Sequence, residues 1–187
     1  VGDLSIKPEI TAPGGRVLSS YNDGYESMSG TSMSSPNIAG LTLVLKQALL
    51  TKYPEYTNTK IKTMINQLLM STTKLIIDEN GNPVLVRKQG SGLANVNKAL
   101  NTLAYLTVTG SDKTKLELGD DPNETGRYCL SFNLVNTSNK ALSYDLSTLT
   151  MTDSLNDNGL TVKGVAHMLN QGSVDVYVGG ILQESKE

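Results

Sequence analysis

Apolar residues recur at Ile38, Leu41, Leu45, Ala48 and Leu49, and this three- and four-residue spacing predicts a long helix from Met33 to about Thr51. Pro36 is expected in its first turn, where a missing N–H costs little, and Pro54 stops any continuation. This helix is expected to be largely buried. A second helix is signalled by Thr57 or Asn58 as N-cap, with Ile61, Met64, Ile65, Leu68 and Leu69 following on one face. Upstream, Leu4–Ile10 and Val17–Ser20 read as short extended pieces broken by Pro8, Pro13, Gly14 and Gly15, and Tyr21–Gly30 as a polar loop. Downstream, Asn80-Gly81-Asn82-Pro83 marks a turn. The apolar runs Leu75–Ile77 and Val84–Val86 on either side of it suit a hairpin, and Val96–Leu106 begins as a short helix and turns into strand.

Past about Ala104 the helical period gives way to alternation, as in Tyr128-Cys129-Leu130-Ser131-Phe132-Asn133-Leu134-Val135-Asn136. Period two predicts half-buried strands. Leu106–Thr109, Leu116–Leu118, Leu142–Leu146, Leu160–Val165 and Val174–Val178 are further candidates, spaced by Gly, Asn and Asp clusters as in an all-β sandwich. The expected organisation is therefore a mixed α/β region over residues 1–103 and an all-β sandwich over residues 104–187.

Composition narrows the function classes. With 187 residues the chain can bury a core, and 38% hydrophobic and 18% charged residues with a net charge of −2 suggest neither disorder nor a basic nucleic-acid surface. No apolar run approaches the roughly 18 residues of a membrane span, and the start lacks the basic and apolar parts of a signal peptide. Beginning at Val1 rather than Met, the chain is expected to be part of something longer. Cys129 is the only cysteine, so no internal disulfide can form.

The chemistry concentrates at the mouth of the first helix, where Gly30-Thr31-Ser32-Met33-Ser34-Ser35-Pro36 opens into the apolar run. A helix start offers unpaired N–H groups and the positive end of the macrodipole, which together can hold an oxyanion formed in acyl transfer. Ser32 is therefore the candidate nucleophile, with a plain N-capping serine as the alternative. This motif resembles the nucleophile segment of the subtilisin-like serine peptidases. Three other segments are similar to that family, in the family's order: Lys7-Pro8-Glu9-Ile10-Thr11-Ala12-Pro13-Gly14-Gly15, then Tyr53-Pro54-Glu55-Tyr56-Thr57-Asn58-Thr59-Lys60-Ile61, then Gly90-Ser91-Gly92-Leu93-Ala94-Asn95-Val96-Asn97-Lys98-Ala99.

The resemblance implies that residues 1–103 are the C-terminal portion of a subtilisin-like parallel-sheet domain. The β region then corresponds to the fibronectin-like domain appended in the family's cell-envelope members. It implies an exported or cell-envelope endopeptidase acting on protein or peptide substrates. Ser32 would attack the peptide carbonyl, Thr31 and Met33 would shape the oxyanion surroundings, and no metal would take part in the chemistry. A structural calcium in the longer protein has no assignable ligands here. In the family's order Asp and His precede Ser. Residues 1–31 contain no His, and Asp3 and Asp23 do not match the family's Asp motif. The oxyanion asparagine would also lie upstream. This stretch alone is expected to be inactive, to need the missing N-terminal part as partner, and to self-associate through uncovered helix faces.

Other readings are weaker. His167 follows Ser32, as in the α/β-hydrolase order, but that family needs G-x-S-x-G and Ser34 stands at the second glycine position. A satisfied or surface histidine on a strand fits better. Gly14 and Gly15 lack the G-K pattern of a phosphate cradle and read as turn formers. Asp153, Asp157 and Asn158 lack the order of a calcium loop. Cys129 lies on an alternating apolar phase and reads as a small core residue. A binding module in which the β region is the working part is the alternative function.

Overall fold

The computed structural model describes residues 6–119, 123, 125–145, 147, 149, 151–155, 161–168 and 174–186. The chain divides into two compact units, Val1–Ile76 with Val86–Lys140, and Ile77–Leu85 with Ala141–Glu187. In the first, strands β1 (Val17–Tyr21) and β2 (Gly24–Met28) precede helix α1 (Thr31–Lys52), followed by α2 (Asn58–Ser71), the single turn α3 (Val86–Gln89), α4 (Val96–Asn101), and strands β3 (Ala104–Val108) and β4 (Phe132–Asn136). The second unit holds β5 (Met151–Leu155), β6 (Thr161–Met168), β7 (Val174–Val178) and β8 (Ile181–Lys186).

The core of the first unit is built on α2. Thr57 is its N-cap, the hydroxyl accepting the Lys60 N–H at 3.2 Å, and the five apolar residues expected on one face are all buried. Against them pack Leu45 and Leu49 of α1 and Ala99 of α4. Each fully buried aliphatic side chain contributes about 1.5–3 kcal/mol, so this three-helix contact is the main source of cohesion in the unit. At the α1–α2 turn Tyr53 and Tyr56 stack with ring centres 4.8 Å apart, Lys60 lying over the Tyr56 ring at 3.6 Å.

Several expectations need correction. The long helix is not largely buried: only Leu45 and Leu49 are, while Leu43 and Val44 remain 66% and 49% exposed. The reason is that α2 and α4 cover one stripe of α1 and leave Leu43 and Val44 open. The helix also starts at Thr31, so Pro36 falls in its second turn, and the Ser32 carbonyl lacks the N–H that position 36 would normally supply. The extended piece Val17–Ser20 is strand β1, but the polar loop Tyr21–Gly30 holds the rest of a hairpin, Asn22-Asp23 forming its two-residue turn with Asn22 at φ 47 and Gly24–Met28 its second strand. Its strands are exposed on both faces, which erases the alternation that would have marked them.

Among the described residues the parallel sheet is reduced to a single parallel bridge, Thr11 with Leu93, and the named strands pair as four two-stranded antiparallel sheets. Leu116–Leu118, 128–131 and 142–145 are not strand. Cys129 is exposed rather than in the core, because β4 begins only at Phe132 and Cys129 has no sheet face to point from. The Leu75–Ile77 and Val84–Val86 hairpin shrinks to one bridge, Ile77 with Pro83, and Val86 enters α3 instead. The turn itself stands: the Asp78 carboxylate accepts the N–H groups of Asn80 and Asn82 at 2.9 and 2.8 Å. In the second unit β5 pairs with β6, placing His167 opposite Thr152, and β7 with β8 across a Gly179-Gly180 turn. Asp157 and Asn158 lie outside the described residues, as does Asp3.

Candidate functional site

The site is the junction of three segments. The extended stretch Glu9–Thr11 is bonded to Ser91–Ala94: the Glu9 carbonyl accepts the Ser91 N–H and hydroxyl, both at 2.9 Å, the Thr11 N–H donates to Gly92 at 2.9 Å, and the Ala94 N–H donates to Thr11 at 2.8 Å. Leu93 in turn exchanges backbone bonds with Lys74, at 2.8 and 2.9 Å, just past the end of α2. The stretch that leads to the candidate nucleophile is thus strapped to the end of the core helix.

Behind it stands a residue that the sequence reading missed. Gln89 is 1% exposed; its Oε1 accepts the Ile76 N–H at 2.8 Å and its Nε2 donates to the Ile76 carbonyl at 3.4 Å. Its own carbonyl accepts the Thr11 hydroxyl at 2.9 Å. A polar residue in Arg87-Lys88-Gln89 gives no hydropathy signal. The only available cue was its position directly before the Gly90-Ser91-Gly92 segment.

From Thr11 the chain passes to Pro13 and Gly14, which meet the start of α1. The Gly14 carbonyl accepts the N–H of Gly30, the N-cap residue, at 2.8 Å. Gly14 has to be glycine because a Cβ there would lie 2.0 Å from Ser34 Oγ and 2.7 Å from the Gly30 carbonyl oxygen. Gly15 has open space around the same position, so the two glycines read together as turn formers have different duties. The Ser29 hydroxyl accepts the Arg16 N–H at 2.9 Å and closes the base of the β1–β2 hairpin onto the same junction.

Ser32 is therefore not the N-cap. It is the second residue of α1, exposed, and among the described residues its hydroxyl has no hydrogen-bond partner. The helical bonds start with the N–H groups of Met33 and Ser34, both donating to Gly30, at 3.1 and 3.3 Å. Among the described residues the N–H groups of Thr31 and Ser32 have no partner, at the positive end of a 22-residue helix. Thr31 is exposed and Met33 half-buried beside the serine. Chemically, the arrangement offers a free hydroxyl and two adjacent donors able to receive a negatively charged oxygen. Among the described residues no side chain is bonded to Ser32 as a base, and no group of three or more His, Cys, Asp or Glu is placed to hold a metal ion.

A cavity of about 560 Å³ elsewhere in this unit is lined by Tyr53, Tyr56, Lys60, Met64, Tyr105 and Asp112, among others, and includes no residue of the junction. Burial, with Tyr56, Tyr53 and Asp112 nearby, pushes the Tyr105 hydroxyl above the ordinary tyrosine value.

Residues 1–92 match the model of the subtilase family. The chain is 36% identical over 168 residues to the PI-type proteinase of Lactococcus lactis subsp. cremoris, covering 83% of this chain and 9% of that protein. The PII-type proteinase of Lacticaseibacillus paracasei matches to the same extent. The C5a peptidase of Streptococcus pyogenes is 33% identical over 140 residues, 74% of this chain and 12% of that protein. The chain thus corresponds to about a tenth of the length of these relatives. Glu9–Gly14, the start of α1 and Ser91-Gly92 fall within the residues that match the subtilase family model, and Leu93 and Ala94 lie just beyond them.

Proposed function

We propose that the chain is the nucleophile-bearing stretch of a serine endopeptidase, with Ser32 as the attacking residue. The observation that carries this reading is the position of Ser32: exposed, unbonded, one residue into α1 beside two unpaired N–H groups, and held there by segments of subtilase sequence. The hydroxyl would add to the carbonyl carbon of a peptide bond and give its proton to a histidine. The oxyanion would be received by the Ser32 N–H and by an asparagine from outside this stretch. Collapse expels the amine, which takes the proton, and water then releases the acyl group. This route uses no metal or cofactor; Thr31 and Met33 shape the walls around the oxyanion.

Histidine and aspartate would both be supplied from outside these 187 residues, as the roughly tenfold greater length of the relatives allows. Removing the triad histidine costs on the order of a million-fold in kcat, so the stretch alone is inactive and the missing part of the peptidase domain is its necessary partner. Residues 1–103 form the end of that domain and 104–187 a fibronectin-like β region. The proteinase relatives support protein or peptide substrates, and an exported, cell-envelope location is what the family resemblance implies.

The test is labelling with a fluorophosphonate probe, on the 187-residue chain and on the full-length protein, with the adduct mapped by mass spectrometry. Labelling at Ser32 in the full-length protein and not in the isolated chain is the expected result. Failure of both would overturn the reading and favour a pseudopeptidase or a binding module built on the β region.

A further inference from the structure

Asn37 lies on α1, less than two turns past Ser32. Its Nδ2 is 3.0 Å from the Pro13 carbonyl oxygen and 3.0 Å from that of Met33. Both neighbours are acceptors, so the amide's donor end faces them. The Met33 bond stays within the helix; the Pro13 bond leaves it.

Pro13 and Gly14 are consecutive, and the Gly14 carbonyl already accepts the Gly30 N–H at 2.8 Å. Two successive carbonyls of one strapped segment therefore hold α1 at two points, its N-cap and Asn37, and Ser32 sits between them. A helix end held at one point can pivot, whereas two points fix its direction and with it the aim of the Ser32 hydroxyl and N–H. The hold matters more here because Pro36 leaves the Ser32 carbonyl without its helical donor, so the first turns have one internal bond fewer.

We propose that Asn37 is a positioning residue for the Ser32 nucleophile, acting through Pro13; this rests on the reading of Ser32 as nucleophile. Asn37→Ala and Asn37→Ser discriminate it from a structural role. Alanine raises helix propensity over asparagine, so lost helix stability would not explain a lost rate. Serine retains a donor for the Met33 carbonyl, one turn back, but is too short to serve Pro13 as well.

The experiment measures fluorophosphonate labelling rate at Ser32, kcat and KM for a peptide substrate, and Tm, all in the full-length protein. Both variants are expected to lower labelling rate and kcat by about 10- to 100-fold, the scale of a small misplacement of a reacting group, with KM within about twofold and Tm unchanged. Asn37→Gln, which keeps the amide donor, is expected to recover part of the rate. Unchanged labelling and kcat in Asn37→Ala would overturn the positioning role alone. An unmodified full-length protein that is not labelled at Ser32 would overturn the nucleophile reading and this role with it.

Discussion

Gly14→Ala, measured beside Gly15→Ala, separates the geometry of the junction from ordinary turn behaviour. A methyl group on Gly14 would lie 2.0 Å from Ser34 Oγ and 2.7 Å from the Gly30 carbonyl oxygen. The serine hydroxyl can rotate away. The carbonyl cannot, because it accepts the N–H groups of Met33 and Ser34 that start α1. Restoring a contact of about 3.4 Å requires the Pro13–Gly14 segment and the helix start to separate by about 0.7 Å. The Gly30 N–H···Gly14 bond, now 2.8 Å, would stretch past useful length. Overpacking of this kind costs about 1–3 kcal/mol and the lost bond about 1 kcal/mol more, so about 2–4 kcal/mol in all. At about 2–4 °C per kcal/mol for a chain of this size, Tm should fall by roughly 5–15 °C. Gly15→Ala meets nothing within 4 Å and should stay within about 0.5 kcal/mol of the unmodified protein. Thermal unfolding gives the stability, and hydrogen exchange over residues 29–34 shows whether the helix start has come loose. Melting of the two variants within about 2 °C of each other would refute the close-approach argument.

Gln89→Leu should destabilise the first unit by about 1–3 kcal/mol, since it leaves the N–H and carbonyl of half-buried Ile76 without their side-chain partner; a urea midpoint equal to that of the unmodified chain would contradict this. The Lys7 ammonium, which hydrogen-bonds Glu9, holds the Glu9 carboxyl below its ordinary value of 4.5, with partial burial opposing and the charges of Lys7 and Lys115 assisting. The ionised form is therefore favoured by folding, and its small contribution is present above pH 4.5 and lost as pH falls through the lower folded value. The Tm difference between the unmodified chain and Glu9→Gln should shrink from pH 6 to pH 3, and a pH-independent difference would exclude this account. The exposed α1 side chains Leu43, Val44 and Leu50 should drive the 187-residue chain into oligomers that Leu43→Lys with Val44→Lys disperses; light scattering that finds a compact monomer of the unmodified chain would disprove it.

The elements legible in the sequence are those with one buried face. The α2 stripe of Ile61, Met64, Ile65, Leu68 and Leu69 is visible because burial on one side of a helix leaves a 3.6-residue imprint. Of the β1–β2 hairpin only the extended piece Val17–Ser20 was legible; β2, open along its length with Tyr25 exposed, left no imprint, and β8, which begins with exposed Ile181 and Leu182, escaped for the same reason. The converse error arose at Tyr128–Ser131, where alternation suggested a strand and the residues are exposed without regular pairing. In α1 the apolar spacing was real, but it records the faces a helix can bury. Which of them are covered depends on partners, and among the described residues α2 and α4 bury only the Leu45 and Leu49 stripe.

The candidate site was legible in a different way. Ser32 and its neighbours announced themselves by motif, but the reason they converge lies mostly in backbone bonds: Thr11 to Gly92, Ala94 to Thr11, Gly30 to Gly14. Every non-proline residue carries the same N–H and carbonyl, so such bonds leave a trace only where a side chain must be absent or must supply what the backbone lacks. Gly14 is the first kind, a position where any Cβ strikes the helix start. Gln89 and Asn37 are the second kind, amides that satisfy backbone groups of a neighbouring segment. Single-sequence patterns cannot separate these amides from solvated ones such as Asn97, which lies exposed on α4. The candidate nucleophile is thus readable from its own residues, and its placement only from the residues that hold Pro13 and Gly14 against it.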